Sequence, residues 1–484
     1  MNPVNSANGR RVDQASAAVS AARLVERLGR WSQGDGTLAE RLARAIALLI
    51  DTGELRAADR LPAERALASA ASVSRGTVVA AYAMLTETGA LERRQGSGTR
   101  VSGAVTRPSA PERVGRTEAL FSALPSSIDL LRAVPQVPES AMRIVHEHRP
   151  DFDVSLLSEA DPVGLPSLRE RIAQQFADEG TPTTPEQIIV THGAQSALHL
   201  LIEELVSPGD VVLAEELTWP GLSDLVRRRG GAVVAVPIGE NGIDLAALEA
   251  AMARMRPALV AVNPHHHNPT GTRMPDAARL RLAGLAAEYG VPVLEDRVLA
   301  PISFDGVVPP TLAALRPDAP ILVAESLSKW AWAGLRVGWL RADPVTVRRM
   351  RGIRQTFDMF TSVPAQLLAL DFFDSIEPLR REVSAQHGRR MLLLRELLAE
   401  HLPDWRYTPP RGGLSLWAEL PEGAAEGFIA LAARRGVAIA GTGAFSVSVS
   451  VSGGDGIRLP FTAPDDVLRE GVRRLGEAWR EPRE

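Results

Sequence analysis

"ILVAESLSKW", residues 321–330, is an apolar run that closes on two serines and the only lysine of a 484-residue chain. All the rest of the 54 basic Lys and Arg side chains are arginine. Arginine carries charge as well as lysine does, but it stays protonated and cannot act as an amine nucleophile. A Schiff base needs an amine that can lose its proton. Coding bias alone produces an arginine-rich chain with a stray lysine, so uniqueness does not assign Lys329 a role. Its neighbourhood does.

From about residue 129 onward, short β-rich runs alternate with helical patterns. The runs are "DVVLAEE", "AVVAVPI", "ALVAVNP", "VPVLED", "ILVAES" and "RVGWLRA", with helices such as 244–255 and 276–289 between them. This alternation predicts an α/β domain over 129–484 with a largely parallel sheet covered on both faces. Its last part, about 375–484, reads as a smaller α+β piece containing "GGLSLWAEL" and "GIRLPF". In open α/β sheets, chemistry collects at the carboxyl ends of strands. "ALVAVNPHHHNPTG" ends in Asn268-Pro269-Thr270-Gly271, "VPVLED" in Asp296, and "ILVAESLSK" in Ser326 and Lys329. Singly, these are a turn starter, a helix cap and a common tetrapeptide. As an ordered set they match pyridoxal 5'-phosphate held as a Schiff base on Lys329. Asp296 then pairs with the pyridinium nitrogen, and Asn268 donates to the phenolic oxygen of the ring. Ser326, Arg336 and the amides of Gly193, Ala194 and Gln195 suit the phosphate, if those three residues open a helix. Trp219 in "LTWPG" can stack on the ring, its alternative being a core aromatic. Arg458 in "GIRLPF" can clamp a carboxylate in bidentate fashion, its alternative being a surface ion pair.

The segment 37–102 reads as a separate unit, preceded by an extension over 1–36 and followed by a Pro/Ser-containing linker over 103–128. Thr37 and Glu40 form a capping-box pattern, with Leu38, Leu42, Ile46 and Leu49 at helical spacing and Gly53 placed as a stop. Two more helices follow, broken at Ser72–Val73–Ser74, with Ser74 as N-cap and Gly89 as stop. "LERRQGSGTRV" supplies two short strands around a Gly/Ser tip. Together these make a winged helix-turn-helix, whose second helix enters the major groove of double-stranded operator DNA by its N-terminus. Arg75, Gly76 and Thr77 fall at the base edges, with the N-cap Ser74 counted among the DNA-binding residues, Arg65 near the backbone, and Arg93, Arg94 and Gly96 along phosphate or the minor groove. Nine arginines against seven acids leave the unit mildly positive. A protein-interaction module with a solvated charged face is the alternative reading.

Composition excludes several classes. A hydrophobic share of 45% with 23% charged residues describes a globular chain rather than a disordered one. Without cysteine there are no disulfides or thiolate metal sites, which fits a reducing cytoplasm. No apolar run of about 18 residues suggests a membrane span, and the polar start carries no secretory pattern. Histidines 265–267 are consecutive, so in an extended loop they point in alternating directions and do not close a metal site; His267 is expected as a pocket wall. "GTGAF" at 441–445 is a lone glycine pattern, not a dinucleotide fingerprint.

Two resemblances extend these readings. "GELRAADRLPAERALASAASVSRGTVVAAYAMLTETGALERRQGSGTRV" resembles the DNA-binding head of GntR-type bacterial regulators. "DPVGLPSLRERIA", "IIVTHGAQSALHLL", "NPTGT", "SLSKWAWAGLRVGWLRA" and "GGLSLW" make the body similar to fold-type I aminotransferases. The combination resembles the MocR subfamily of GntR regulators over about residues 21–481. That resemblance implies the cofactor roles above and a head-to-tail homodimer with each head reaching over the partner's body. Two positions depart from it. Val298 stands where family members often carry a tyrosine at the ring oxygen, and Glu159 and Ala160 stand where a tyrosine commonly reaches into the partner. Loss of the first phenol weakens proton shuttling. The resemblance therefore implies a regulator that uses its body to sense pyridoxal phosphate, an amino acid or an amine. A working class I/II aminotransferase with a fused head is the alternative.

Overall fold

In a computed structural model, the described residues are 19–28, 31–32, 37–51, 55, 59–87, 90–94, 98–102, 116–124, 126–149, 161–421, 424–447 and 455–481. The chain forms two compact units, Met1–Arg113 and Val114–Glu484. Gly53, Gly89, Gly96, Glu159 and Ala160 lie outside the described residues.

Among the described residues, the first unit holds four helices, α1 (Ala21–Leu28), α2 (Leu38–Asp51), α3 (Glu64–Ala70) and α4 (Arg75–Glu87), and a wing of β1 (Leu91–Arg94) and β2 (Gly98–Val101). The capping box at α2 forms: Thr37 N donates to Glu40 Oε2 at 2.7 Å and Glu40 N to Thr37 Oγ1 at 3.3 Å. Ser72 turns the chain between α3 and α4 with φ 55. Ser74 then caps α4 by accepting from Thr77 N at 3.1 Å. The wing pairs antiparallel with Arg94 opposite Gly98. Helix α1 is more than an extension, because Leu24 and Leu28 pack into the same core as Leu42, Ile46, Leu67, Val78, Tyr82 and Val101. Burying these apolar side chains is what holds so small a unit together.

The second unit is built on a seven-stranded sheet. In chain order its strands are β3 (Ile188–Thr191), β4 (Val211–Glu215), β5 (Ala232–Val236), β6 (Leu259–Val262), β7 (Val293–Asp296), β8 (Ile321–Ser326) and β9 (Gly338–Arg341). Their spatial order is β3-β9-β8-β7-β6-β4-β5. All are parallel except β9, which runs antiparallel to both neighbours. Six of the seven strands lie within the runs read from the sequence; β3, four residues of "IIVT", is the addition. One face packs on helix α5 (Ala194–Leu205) and the helices Pro220–Arg229 and Pro344–Arg354, through Ile189, Val212, Leu259, Leu294, Leu322 and Leu340. Leu245–Met255, Asp276–Tyr289 and Leu312–Leu315 lie on the other. Asp244 caps the first of these by accepting from Ala246 N and Ala247 N.

The smaller part begins with the long helix Ile376–His401 and adds an antiparallel three-stranded sheet of Ser415–Glu419, Gly456–Pro460 and Ala440–Gly441. Trp405, Phe428 and Trp479 meet edge to face at 5.2–5.4 Å in its core. Residues 116–124 and 126–128, inside the stretch read as linker, are built onto this unit. Thr117 Oγ1 donates to Asp224 at 2.6 Å, Leu120 is buried, and Ile128–Asp129 pairs with Val437–Ala438. Short apolar patches such as Leu120 gave no periodicity by which to place them.

Tyr82 is fully buried and its hydroxyl donates to Pro62 O at 3.0 Å, tying α4 to the entry of α3. Tyr82→Phe leaves that carbonyl unsatisfied, at a cost of about 1 kcal/mol. Hydrogen exchange of the full chain should then speed up about fivefold in peptides from 64–87, with the second unit unchanged.

Candidate functional site

The ends of β7 and β8 bring the predicted group together. Ser326 is buried and closes β8, and its hydroxyl accepts from Ser328 N at 3.1 Å, capping the single turn Leu327–Lys329. That hydroxyl also lies 2.9 Å from Ser328 Oγ and 3.1 Å from Val337 O. It is engaged in fixing the lysine's turn. Lys329 Nζ donates to the Ala133 carbonyl at 2.7 Å. Burial and the charges of Arg458 and Arg336 pull the amine down to about 8, with Asp296 opposing them. Asp296 itself is pushed up to about 6, chiefly by burial, against hydrogen bonds from the Val298 amide at 3.0 Å and from Asn263. An amine neutral near pH 8 beside a carboxyl is the pairing that a Schiff-base lysine and a pyridinium partner require.

A second group of residues gathers at the start of α5. Gly193 precedes α5 with φ 81, and a Cβ there would stand 2.9 Å from Arg336 Nη2. Arg336 donates to His192 O at 2.8 Å, so its guanidinium lies against the start of α5. The first amides of a helix have no intrahelical acceptor, and those of Ala194 and Gln195 share this corner with Arg336. Trp219, half-buried, donates from Nε1 to Gln195 Oε1 at 2.7 Å. The set of amine, carboxyl, anion corner and indole fits pyridoxal phosphate. When bound, that group supplies an electron sink next to whatever amine it carries.

Asn268 and Arg458 complete the arrangement. Arg458 is buried, donates to Asn268 Oδ1 at 3.0 Å and to the Leu131 carbonyl, and has its guanidinium carbon 4.5 Å from the Phe445 ring centroid. Its Nε has no partner, and burial pulls its pKa down to about 9. Among the described residues no carboxylate is bonded to it. Phe445 comes from "GTGAF", which here is the short helix Thr442–Phe445.

Several participants escaped the sequence reading. Asn263, Ala133 and Leu131 act from a side chain or backbone without a motif of their own. His267 is not a pocket wall: it is 1% exposed and its Nε2 faces Glu215 at 3.2 Å, below Asn268. His265 meets Glu295 at 3.1 Å. His266, with φ 52 and no ring partner, is held down to about 3 by burial. The three rings therefore diverge, and no group of three or more His, Asp or Glu side chains among the described residues could hold a metal.

In the head, Arg65, Ser74, Arg75 and Gly76 are exposed and Thr77 is half-buried. Arg75 Nη2 lies 3.2 Å from Glu64 Oε2, a contact that no spacing rule suggested. Arg93 and Arg94 lie on β1 with their side chains outside the described set, as is Gly96. Arg60, also exposed, joins them unannounced. A Cβ on Gly98 (φ +84) would stand 3.2 Å from its Nε, so the wing lies against this guanidinium.

The comparisons agree with both parts. The family model for aminotransferase class I and II matches residues 154–475, and that for bacterial regulatory proteins of the gntR family matches 38–101. The chain is 33% identical over 314 residues to the 2-aminoadipate transaminase of Thermus thermophilus, 63% of this chain and 78% of that one. It is 30% identical over 426 residues to the uncharacterized HTH-type transcriptional regulator YdcR of Escherichia coli, 82% of this chain and 88% of that one. A crystal structure of Pyrococcus horikoshii kynurenine aminotransferase in complex with PMP matches with a TM-score of 0.70 at 25% identity, covering 76% of this chain and 95% of that one. Fold and site thus define a pyridoxal-phosphate-dependent fold-type I body joined to a DNA-binding winged helix. The chain belongs to the class I and II aminotransferase family, and its GntR head places it among the MocR-type transcription regulators.

The Lys329 pKa makes a measurable prediction. Borohydride trapping of pyridoxal phosphate on the protein should rise with pH through a midpoint near 8, against 10.5 for an ordinary lysine. In Asp296→Asn the opposing carboxylate is gone, so the midpoint should fall further. A midpoint that stays at ordinary lysine values would contradict the buried-amine geometry.

Proposed function

We propose that the body is an effector sensor: it holds pyridoxal phosphate on Lys329, reads an amino acid or amine there, and biases DNA binding by the head. The observation that carries this reading is Arg458. A buried guanidinium bonded only to neutral oxygens, with a free Nε, is a receptor for a carboxylate. Its charge also helps to hold the Lys329 amine below the ordinary lysine range. Asp296 is the pyridinium partner in this reading. Asn268 faces the ring oxygen, Trp219 covers the ring, and Arg336 with the amides of Gly193, Ala194 and Gln195 holds the phosphate. Ser326 contributes by capping the lysine's turn.

Supporting the regulator over a catalyst is Val298, which offers Asp296 a backbone amide and the ring no phenol. The exposed N-terminus of α4, with Arg75, Gly76 and the half-buried Thr77, supports operator recognition, with Arg65, Arg93, Arg94 and Gly96 on the backbone. A homodimer is the working unit. Phe357, Met359 and Phe360 lie exposed side by side and suit an interface with a second copy. This reading carries a cytoplasmic location with it. No helix among the described residues is long and apolar enough to cross a membrane.

The alternative, a working aminotransferase, is favoured by the complete set of cofactor residues. Mixing the holoprotein with an amino acid and a keto acid acceptor separates the two. The sensor reading expects at most one exchange per site. Sustained turnover at ordinary enzyme rates of about 1 per second or more would overturn it.

A further inference from the structure

We infer that Glu64 is a positioning residue for base reading, holding the Arg75 guanidinium so that it engages a base edge rather than a phosphate. This rests on the reading of the head as a DNA-binding unit, and specifies which of its arginines reads sequence.

Arg75 and Glu64 are the first residues of α4 and α3, and their side chains meet at 3.2 Å across the helix-turn-helix. They line a cleft of about 340 Å³ together with Arg60, Arg65, and Gly98 and Thr99 of the wing. The cleft therefore joins the two elements that touch DNA in a winged helix. Its three arginines are not equivalent. Arg75 carries a carboxylate partner, whereas no carboxylate pairs with Arg60 or Arg65 among the described residues.

A surface ion pair of this kind adds little stability. Its effect lies in what the arginine can bind. A guanidinium has five N–H donors in a rigid fork, and Glu64 takes up one edge, fixing the plane and leaving the rest presented. A phosphate approaching that remainder also meets the negative charge of Glu64. The major-groove edge of guanine offers O6 and N7, neutral acceptors spaced for a bidentate arginine, and is not repelled. Glu64 thus discriminates against the backbone at Arg75, while Arg60 and Arg65 are left to neutralise phosphates.

The test is selection of binding sites from a random duplex pool by the full chain, comparing wild type, Arg75→Ala, Glu64→Gln and Glu64→Asp. Arg75→Ala should lose sequence preference at one or two positions. Glu64→Gln should lose it at the same positions while binding the unselected pool about 3–10-fold more tightly, with the slope of log affinity against log salt steeper by about one. Glu64→Asp, which keeps the carboxylate, should retain most of the preference. A purely structural role would not steepen the salt slope. Unchanged preference and slope in Glu64→Gln would overturn the inference, as would weaker pool binding. If the wild type enriches no sequence, it is the DNA-binding reading that fails.

Discussion

Burial of one amine between a carboxyl and two guanidinium groups is the constraint on which the rest of the body depends. Lys329 leaves water at the end of a fully buried strand, where its charge is opposed by Arg458 and Arg336 and favoured by Asp296. Desolvation works against charge on both the amine and the carboxyl. The pair is therefore poised near neutrality, where an ordinary lysine would be fully protonated. Every neighbour contributes to that poise. Ser326 fixes the turn, Val298 and Asn263 hold the carboxyl, and the αL backbone of Arg336 (φ 55) sets its guanidinium against Gly193. Arginine at position 329 would stay protonated in this setting, where lysine can lose its proton.

Much of this was legible in the sequence, because the reacting groups fall at strand ends and strand ends have patterns. "VPVLED" and "ILVAESLSK" announce their carboxyl termini by apolar runs that stop on polar residues, and the capping box at Thr37 and the N-cap at Ser74 announce helices. What was not legible acts across the chain without a local signature. Leu131 and Ala133 offer carbonyls to Arg458 and Lys329 from far away in sequence. His267 looked like a pocket residue by adjacency to Asn268, but a carboxylate on β4 draws it into the core. In the head, Glu64 and Arg75 meet only because two helices start on the same side of a turn.

A sensor must convert occupancy into a difference between two states of the protein, since a ligand shifts an equilibrium only by its differential affinity. The body offers two points where a ligand competes with the protein's own contacts. Lys329 Nζ, now bonded to the Ala133 carbonyl, would hold the cofactor, and Arg458, now bonded to that of Leu131, would hold a carboxylate. Both carbonyls belong to one short stretch, residues 131–133, which directly follows the strand Ile128–Asp129. Coupling between two ligands is reciprocal, so in the proposed sensor the operator would alter affinity for the body's ligands as much as they alter affinity for the operator.

The most direct measurement is operator affinity by fluorescence anisotropy, for the full chain with and without pyridoxal phosphate, beside Lys329→Ala. A selected duplex serves as probe at fixed salt. The sensor account predicts a shift of at least about fivefold in the wild type, the lower end of usual allosteric coupling, and no shift in Lys329→Ala. Equal affinities in a wild type that demonstrably carries the cofactor would contradict it.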